Sequence, residues 1–427
     1  MLDIKRIREK EEEVRAGLKA RGADTAGVDN VLALDRERRR LLTEGEALKG
    51  ERNTVSKRVG EMKKRGEDTN ALQVSVRDIG DRIAQFDQKV REVDAELAKA
   101  VLMIPNVPCP TIPIGADSSA NRVVKEHGRK RTFEFKPLNH IELGDRLRLF
   151  DFERATKMTG PGFPLLLGAG AHLQRALINF MLDLHVREHG YREVWPPALC
   201  NAASMTGTGQ LPKMQEEMYG LPNDGLFLIP TAEVPVTNFY REEIIPEPLP
   251  VYMTAYTPCF RREAGAAGKM TRGLIRVHQF DKVEMVKFVE PETSYAELES
   301  LLTNAEDVLQ RLGLHYRVLE LCTGDISFSA AKCYDIELWA PGQEAWLEVS
   351  SCSNFEDFQA RRANIRFRDK ANKVRFVHTL NGSGVALPRL VVAILENYQQ
   401  ADGSILLPDA IVPYMGGITR IDAPAHP

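Results

Sequence analysis

No proline occurs before Pro105 in this chain of 427 residues, and over the same stretch the apolar residues fall on heptad seams. Leu34, Leu41, Leu48, Val55 and Met62 recur every seven positions. Beyond a polar turn at 64–68, Leu72, Val76, Ile79, Ile83, Phe86, Val90, Val93 and Leu97 step by four and three. Such spacing keeps one seam of each helix turned toward a partner, and so short a turn forces the two helices antiparallel. At 1.5 Å per residue, helices of about 35 residues make a hairpin of roughly 50 Å. The spacing predicts a coiled-coil arm over 1–104, closed by a proline-rich linker over 105–120 that starts at Pro105, Pro108 and Pro110.

The arm is unevenly charged. Between Arg36 and Arg65 there are eleven basic residues against five acids, in a chain whose net charge is −3. A basic arm on a mildly acidic protein points to a phosphate backbone as partner. A solvated coiled coil that merely carries many charges is the other reading. The remaining composition mainly excludes. No apolar run approaches the roughly 20 residues that span a bilayer, and the N-terminus is charged where a signal peptide would be apolar. The six cysteines form no C-x-x-C pair, which points to reduced thiols in a cytosolic protein, not to disulfides or zinc ligands.

After the linker the chain mixes helical periods, at 171–188, 295–312 and 387–398, with short β-rich runs. Hairpins and helices without βαβ repeats predict an α+β domain on an antiparallel sheet; 418–427 reads as a loose tail. One hairpin carries the chemistry. Cys259-Phe260-Arg261-Arg262-Glu263 and the run from Arg272 to Glu284 read as strands around a small cationic loop at 264–271. Arginines that bind oxyanions bidentately, carboxylates and an aromatic residue on one rigid floor suit a site that holds a triphosphate, stacks a base and orients a carboxylate. A surface hairpin laced with salt bridges is the plain alternative. Competing motifs fail: Gly265–Lys269 has Glu263 and Met270 where a Walker loop needs Gly and Ser or Thr, and no nucleophile or H-E-x-x-H pattern occurs. His140 and His278 read as structural. Phosphate-centred electrostatic catalysis remains.

Three further blocks accompany the hairpin: Pro230-Thr231-Ala232-Glu233, Glu348-Val349-Ser350-Ser351, and the run from Asn381 to Arg389. With these, and with 206–213, 355–359, 396–400 and the arm, the chain resembles the class II aminoacyl-tRNA synthetases, and among them the bacterial-type seryl-tRNA synthetases, over nearly its whole length. The resemblance implies an N-terminal antiparallel coiled-coil tRNA-binding domain (1–104) and a catalytic domain (121–427) whose antiparallel β-sheet is flanked by helices. It also implies a cytoplasmic homodimer, its first class motif matching the helix 174–188 and the strand ending at Pro197. The implied reaction is attack of the serine carboxylate on the α-phosphorus of ATP, with Mg²⁺. The acyl group then passes to tRNA(Ser), and to tRNA(Sec) where that exists.

By resemblance, Arg261 and Arg389 are catalytic: Arg261 bridges the carboxylate and the α-phosphate, and Arg389 holds the γ-phosphate end or covers the base. Serine is received by Thr231, Ala232, Glu233, Arg261, Glu284, Asn381 and Ser383, with Glu284 and Ser383 at its hydroxyl. ATP meets Arg261, Arg262, Glu263, Val277, Phe280, Glu348, Val349, Ser350, Ser351 and Arg389; Glu263 takes the adenine amino group and Phe280 stacks on its face. Glu348 and Ser351 ligate Mg²⁺. On the arm, the resemblance implies that Arg36, Arg38, Arg39, Arg40, Arg52, Lys57 and Arg58 meet the tRNA. Two departures stand out: Arg262 replaces the family's usual serine, and 160–164 lacks the arginine and aromatic residue many relatives carry there. Three other identities remain conceivable from sequence: a paralogue loading a carrier protein, an antibiotic-tolerant copy, and a non-catalytic coiled-coil protein.

Overall fold

The computed structural model describes residues 1–264 and 272–424; the segment 265–271 of the predicted loop, with the Walker-like run inside it, and the last three residues lie outside the described residues. The chain divides into two compact units, residues 1–19 with 23–105, and residues 20–22 with 106–427.

The first unit is helical. Helices α1 (Ile4–Glu9) and α2 (Glu11–Ala20) precede α3 (Ala26–Lys64) and α4 (Asn70–Leu102), which pack together. The sequence reading missed α1 and α2 as separate helices. Their apolar residues Ile7, Val14 and Leu18 are buried, and Arg8 reaches Asp35 of α3 at 3.0 Å. The seam between the long helices follows the heptads: Leu48, Ile79 and Ile83 are buried, with Val55 and Phe86 packed beside them. Gly45 faces Phe86 across the seam with room for a Cβ, which would meet Phe86 at 3.9 Å, an ordinary packing distance. Toward the turn, Val55, Val59 and Met62 are only half-buried, because two helices alone cannot enclose a core.

The second unit is built on an eight-stranded sheet among the described residues. Its strands, numbered along the chain, are β1 (Arg122–His127), β2 (Arg192–Glu193), β3 (Val251–Phe260), β4 (Gln279–Val289), β5 (Tyr316–Glu320), β6 (Lys332–Ala340), β7 (Ala345–Asn354) and β8 (His378–Ala386). They lie in the order β1-β5-β6-β7-β8-β4-β3-β2. Every pairing is antiparallel except β2 on β3. The helices are α5 (His140–Leu147), α6 (Phe152–Thr159), α7 (Gly168–Arg187), α8 (Ala202–Thr208), α9 (Glu233–Thr237), α10 (Ser294–Arg311), α11 (Phe358–Ala363) and α12 (Leu387–Tyr398).

Strand β4 shows how the sheet positions a site. Successive side chains alternate between faces. Val283, Met285 and Val289 join the main core with residues of α7, α10 and α12, whereas Val286 and Phe288 join a second core with Ala232, Val236 and Ala360. Phe280, Lys282 and Glu284 share the parity of Val286 and Phe288. One strand face is therefore apolar under α9 and α11 and charged where those helices end.

Two expectations need correction. The hairpin strands stop at Phe260 and resume at Gln279, so 261–263 and 272–278 are not strand. The ladder extends one step further through the Arg261 N–H to the His278 carbonyl, after which Glu263 turns the chain with φ of 51°. The tail is not loose up to Ile421: Arg420–Ile421 pairs with Ile405–Leu406, and Ile421 is buried. Residues after Pro105 are packed as well, with the Asn106 amide donating to the Ser329 and Phe355 carbonyls, each at 2.9 Å.

Candidate active site

A cavity of about 560 Å³ opens on the charged end of that face, lined by the hairpin neck, the 208–210 loop, β7, β8 and the start of α12. Of the residues assigned from sequence, Thr231, Glu233, Arg261, Glu263, Val277, Phe280, Glu348, Val349, Ser351, Asn381, Ser383 and Arg389 line it. Three do not. Ala232 is buried in the second core beneath, and Ser350 turns away, its hydroxyl donating to the Ser383 carbonyl at 2.6 Å. Arg262 lies outside over the Tyr219 ring, 5.4 Å from its centroid.

One end of the cavity is cationic. Arg261, Arg276 and Arg389 converge there, and the protein uses them unequally. Arg276 pairs with Glu263 at 2.9 Å. Arg389, raised by the first turn of α12, donates to the Ile275 and Glu348 carbonyls at 3.2 and 2.7 Å. Burial pulls its guanidinium below the usual range, and although Glu348 opposes this, Arg276 and Arg261 add to it by repulsion. Arg261 makes one long bond, from Nε to the Pro230 carbonyl at 3.3 Å, and lies 5.1 Å from the centre of the Phe280 ring. Guanidiniums held together against their own repulsion make a site for a polyanion. Its neck is set by His278, whose Nδ1 lies 3.0 Å from the Arg261 carbonyl and whose N–H donates to the Gly162 carbonyl at 2.7 Å. Gly162 is required there, since a Cβ would stand 2.3 Å from the His278 ring. The departing 160–164 loop thus packs on the hairpin, and both histidines are structural; His140 is buried against Glu396.

The other end is a small polar chamber. Glu284, 1% exposed, pairs with Lys282 at 2.5 Å and accepts from Thr231 Oγ1 at 3.2 Å and Asn381 Nδ2 at 2.9 Å. Lys282 also donates to Thr231 Oγ1 at 2.9 Å. A carboxylate offers about four acceptor positions, so three bonds leave roughly one for a ligand. Glu233 stands beside this group and receives the Gln359 amide at 2.6 Å. Burial first and the Glu284 charge second push its carboxyl up to about 7, against the opposing pull of Gln359, Lys282 and Arg261.

A bulge in β7 between Glu348 and Ser350 lets Glu348 and Ser351 face the cavity together; regular alternation would put them on opposite faces. Asp335 of β6 is opposite Ser351 in the ladder. Among the described residues no cluster of three or more His, Cys, Asp or Glu forms a closed metal cage.

Sequence reasoning missed Lys282, Arg276 and Gln359. For Lys282 a signal existed: it lies between Phe280 and Glu284 at a spacing of two. Arg276 is in irregular backbone, where no period marks it.

On the arm the basic residues separate by helical phase. At 100° per residue, Arg36, Arg39, Arg40, Lys57 and Arg58 fall within roughly 60° of one line along α3, and all five are exposed. Arg38 and Arg52 are on the seam side, half-buried, with Arg38 held by Asp94 of α4 at 2.5 Å. Arg40 is committed to Glu37 and Glu44, each at 2.7 Å.

Residues 219–398 match the tRNA synthetase class II core domain family of the G, H, P, S and T group, and residues 1–108 match the seryl-tRNA synthetase N-terminal domain. The chain is 55% identical over 423 residues to a serine–tRNA ligase of Geobacter sulfurreducens, covering 99% of this chain and 100% of that one. It is 56% identical over 418 residues to a serine–tRNA ligase of Akkermansia muciniphila, covering 97% and 98%. Its structure superposes on that of seryl-tRNA synthetase from Pyrococcus horikoshii complexed with ATP with a TM-score of 0.94, at 38% identity, covering 99% and 100%.

Proposed function

Since the chain belongs to the seryl-tRNA synthetase family, we propose that it acts through this cavity, with ATP at the arginine end and serine in the polar chamber. The activity is serine–tRNA ligation: serine is first joined to ATP as seryl-adenylate and then passed to tRNA. A carboxylate oxygen of serine attacks the α-phosphorus, the new O–P bond forms, and the bond to pyrophosphate breaks. The nucleophile is already an anion, so no side chain need remove a proton; alignment and charge neutralisation carry the step. Arg261 lies between the two halves of the cavity and has the least committed guanidinium, which suits it to bridge carboxylate and α-phosphate. Glu233 would take the α-ammonium, and the remaining acceptor position of Glu284, with Ser383, the serine hydroxyl. The single observation that carries this reading is one cavity in which three arginines stand beside Lys282, Thr231 and Asn381, the side chains that hold the buried Glu284.

Phe280 and Glu263 would receive the adenine, Arg276 releasing Glu263 or sharing it. Mg²⁺ fits the β7 bulge: Glu348 and Ser351 are hard oxygen donors, and a cation completed by water and phosphate oxygens needs no closed protein cage. Bound there, it would neutralise phosphate charge. Ser350 and Ala232 would serve through the backbone they hold in place. We assign 1–104 to tRNA binding, 105–120 to the connection and 121–427 to catalysis, in the cytoplasm, where protein synthesis runs; among the described residues no helix is long and apolar enough to cross a membrane. A homodimer is also proposed, since Trp195, just beyond the edge strand β2, is 76% exposed. Sedimentation at the mass of a single 47.9 kDa chain would refute it.

The test is amino-acid-dependent exchange of pyrophosphate into ATP without tRNA. Serine alone should support it, alanine failing because buried polar groups would be left unpaired. Exchange equal with alanine would remove the hydroxyl-reading role of Glu284. The pH dependence has a definite sign. Glu233 holds its proton below about pH 7, and a neutral acid attracts an ammonium poorly. Hence kcat/KM for serine should fall as pH drops through 7, while kcat, which reports the bound state, should fall at lower pH because the ammonium favours the carboxylate. An acid limb near the ordinary carboxylate range would contradict this environment for Glu233.

A further inference from the structure

Helix α11 lies under the amino-acid end of the cavity and supplies none of the groups assigned to serine or ATP. Its Gln359 is 0% exposed, and every polar group of its amide is in use. Nε2 donates to Glu233 Oε1 at 2.6 Å and to the Thr208 carbonyl at 3.2 Å, while Oε1 accepts from Thr379 Oγ1 at 2.8 Å. The two acceptors around the nitrogen admit only one orientation of the amide, because a flipped oxygen would face a carboxylate and a carbonyl. Thr379 belongs to β8 and Thr208 ends α8, so the amide is held from two sides by elements that also wall the cavity. One turn on, Arg362 donates to the Thr206 and Leu211 carbonyls, each at 3.2 Å, tying α11 to the 206–211 segment.

We infer that Gln359 is a positioning residue for amino-acid activation, holding Glu233 in the rotamer that receives the substrate ammonium. The inference rests on the proposed role of Glu233 at the serine ammonium. Glu233 is surrounded by Glu284 and Lys282 of β4, by Arg261 from the hairpin neck and by Gln359. Glu284 disfavours its charge, Lys282 and Arg261 favour it, and Gln359 alone among these neighbours bonds to it directly. The amide thereby balances the nearby Glu284 without contributing a charge of its own, which a lysine or arginine in its place would do. It acts on serine through Glu233 and touches no part of the arginine end, so its effect should be confined to one substrate.

The experiment is pyrophosphate exchange by the full-length protein with serine and ATP varied separately, from about pH 5.5 to 9, for Gln359→Leu, Gln359→Glu and Glu233→Gln. A lost bond to a charged group corresponds to roughly a 10–100-fold change. Gln359→Leu should raise KM for serine by about that factor, with KM for ATP within about twofold. The acid limb of kcat/KM for serine should move up by about one pH unit. Gln359→Glu keeps the volume and sets a second carboxyl against the first, so its limb should move further in the same direction; it decides the matter if the leucine variant does not fold. An unmoved limb, or serine and ATP KM rising together, would reduce Gln359 to packing and overturn the inference. Glu233→Gln separates the two readings. If it leaves serine KM unchanged, the role of Glu233 falls; if it raises KM while both Gln359 variants are silent, only the positioning role of Gln359 falls.

Discussion

Arg261→Ala should lower the rate of serine-dependent pyrophosphate exchange by about 10²–10³-fold, the usual effect of deleting one preorganised group aimed at transition-state charge. Thermal unfolding should be unchanged, and the reason is structural. Arg276 is paired with Glu263 and Arg389 is bonded to two carbonyls, so replacing either would disturb the protein as well as the reaction. Arg261 gives the fold only a 3.3 Å bond to Pro230 and contact with the Phe280 ring. Its planar fork can span a carboxylate and a phosphate at once. Arg261→Lys keeps the charge and loses the fork, and should recover only part of the rate. The measurement is kcat and both KM values beside a melting curve. A variant that lost less than about tenfold, or that lost activity only by unfolding, would move the bridging role to Arg276.

The arm was legible in the sequence because heptads leave a periodic trace, and the antiparallel sheet because hairpins and helices follow one another without βαβ repeats; the pocket residues were legible through the family resemblance of their motifs. Heptads mark α3 and α4, and the spacing of two that sets Lys282 on one face with Phe280 and Glu284 was present but unused. What was not legible breaks the period. The β7 bulge shifts the phase between Glu348 and Ser351, so Ser350, read as part of an ATP-binding block, faces the Ser383 carbonyl instead. The strand-like pattern around the hairpin overran into 261–263 and 272–278, where the chain turns and the alternation of side chains has no ladder behind it. Gln359 shows a third kind of loss. It is far from Glu233 in sequence, at a separation of 126 positions, and only the packing of α11 beneath the cavity joins them. The tail was misread because two residues, Arg420 and Ile421, suffice to make a two-stranded ladder when the apolar one is buried opposite the buried Ile405.

The same helical phase that explains the seam sharpens what is expected of the arm. A reading of charge alone treats Arg38, Arg39 and Arg40 as equivalent; the structure separates them. Arg38 faces α4 and is paired with Asp94, while Arg40 is shared by Glu37 and Glu44. Arg36 and Arg39 lie exposed on the outer stripe that continues to Lys57 and Arg58. Phosphate binding releases counterions from a nucleic acid, so each contact contributes about one unit to the slope of log affinity against log salt. Joint replacement Arg36→Glu and Arg39→Glu should therefore lower that slope for tRNA by about two and weaken aminoacylation at low tRNA concentration by about 10–100-fold. Pyrophosphate exchange without tRNA should stay within about twofold of the parent, since the reacting groups belong to the other unit. Arg38→Glu should instead lower thermal stability, because it sets a second carboxylate against Asp94 beside the seam, with a smaller change in salt slope. Equal loss of exchange and aminoacylation in the double variant would end the separation of tasks between arm and catalytic unit. An unchanged slope would mean that the stripe meets no phosphate, and that the basic excess of α3 is the ordinary charge of a solvated coiled coil.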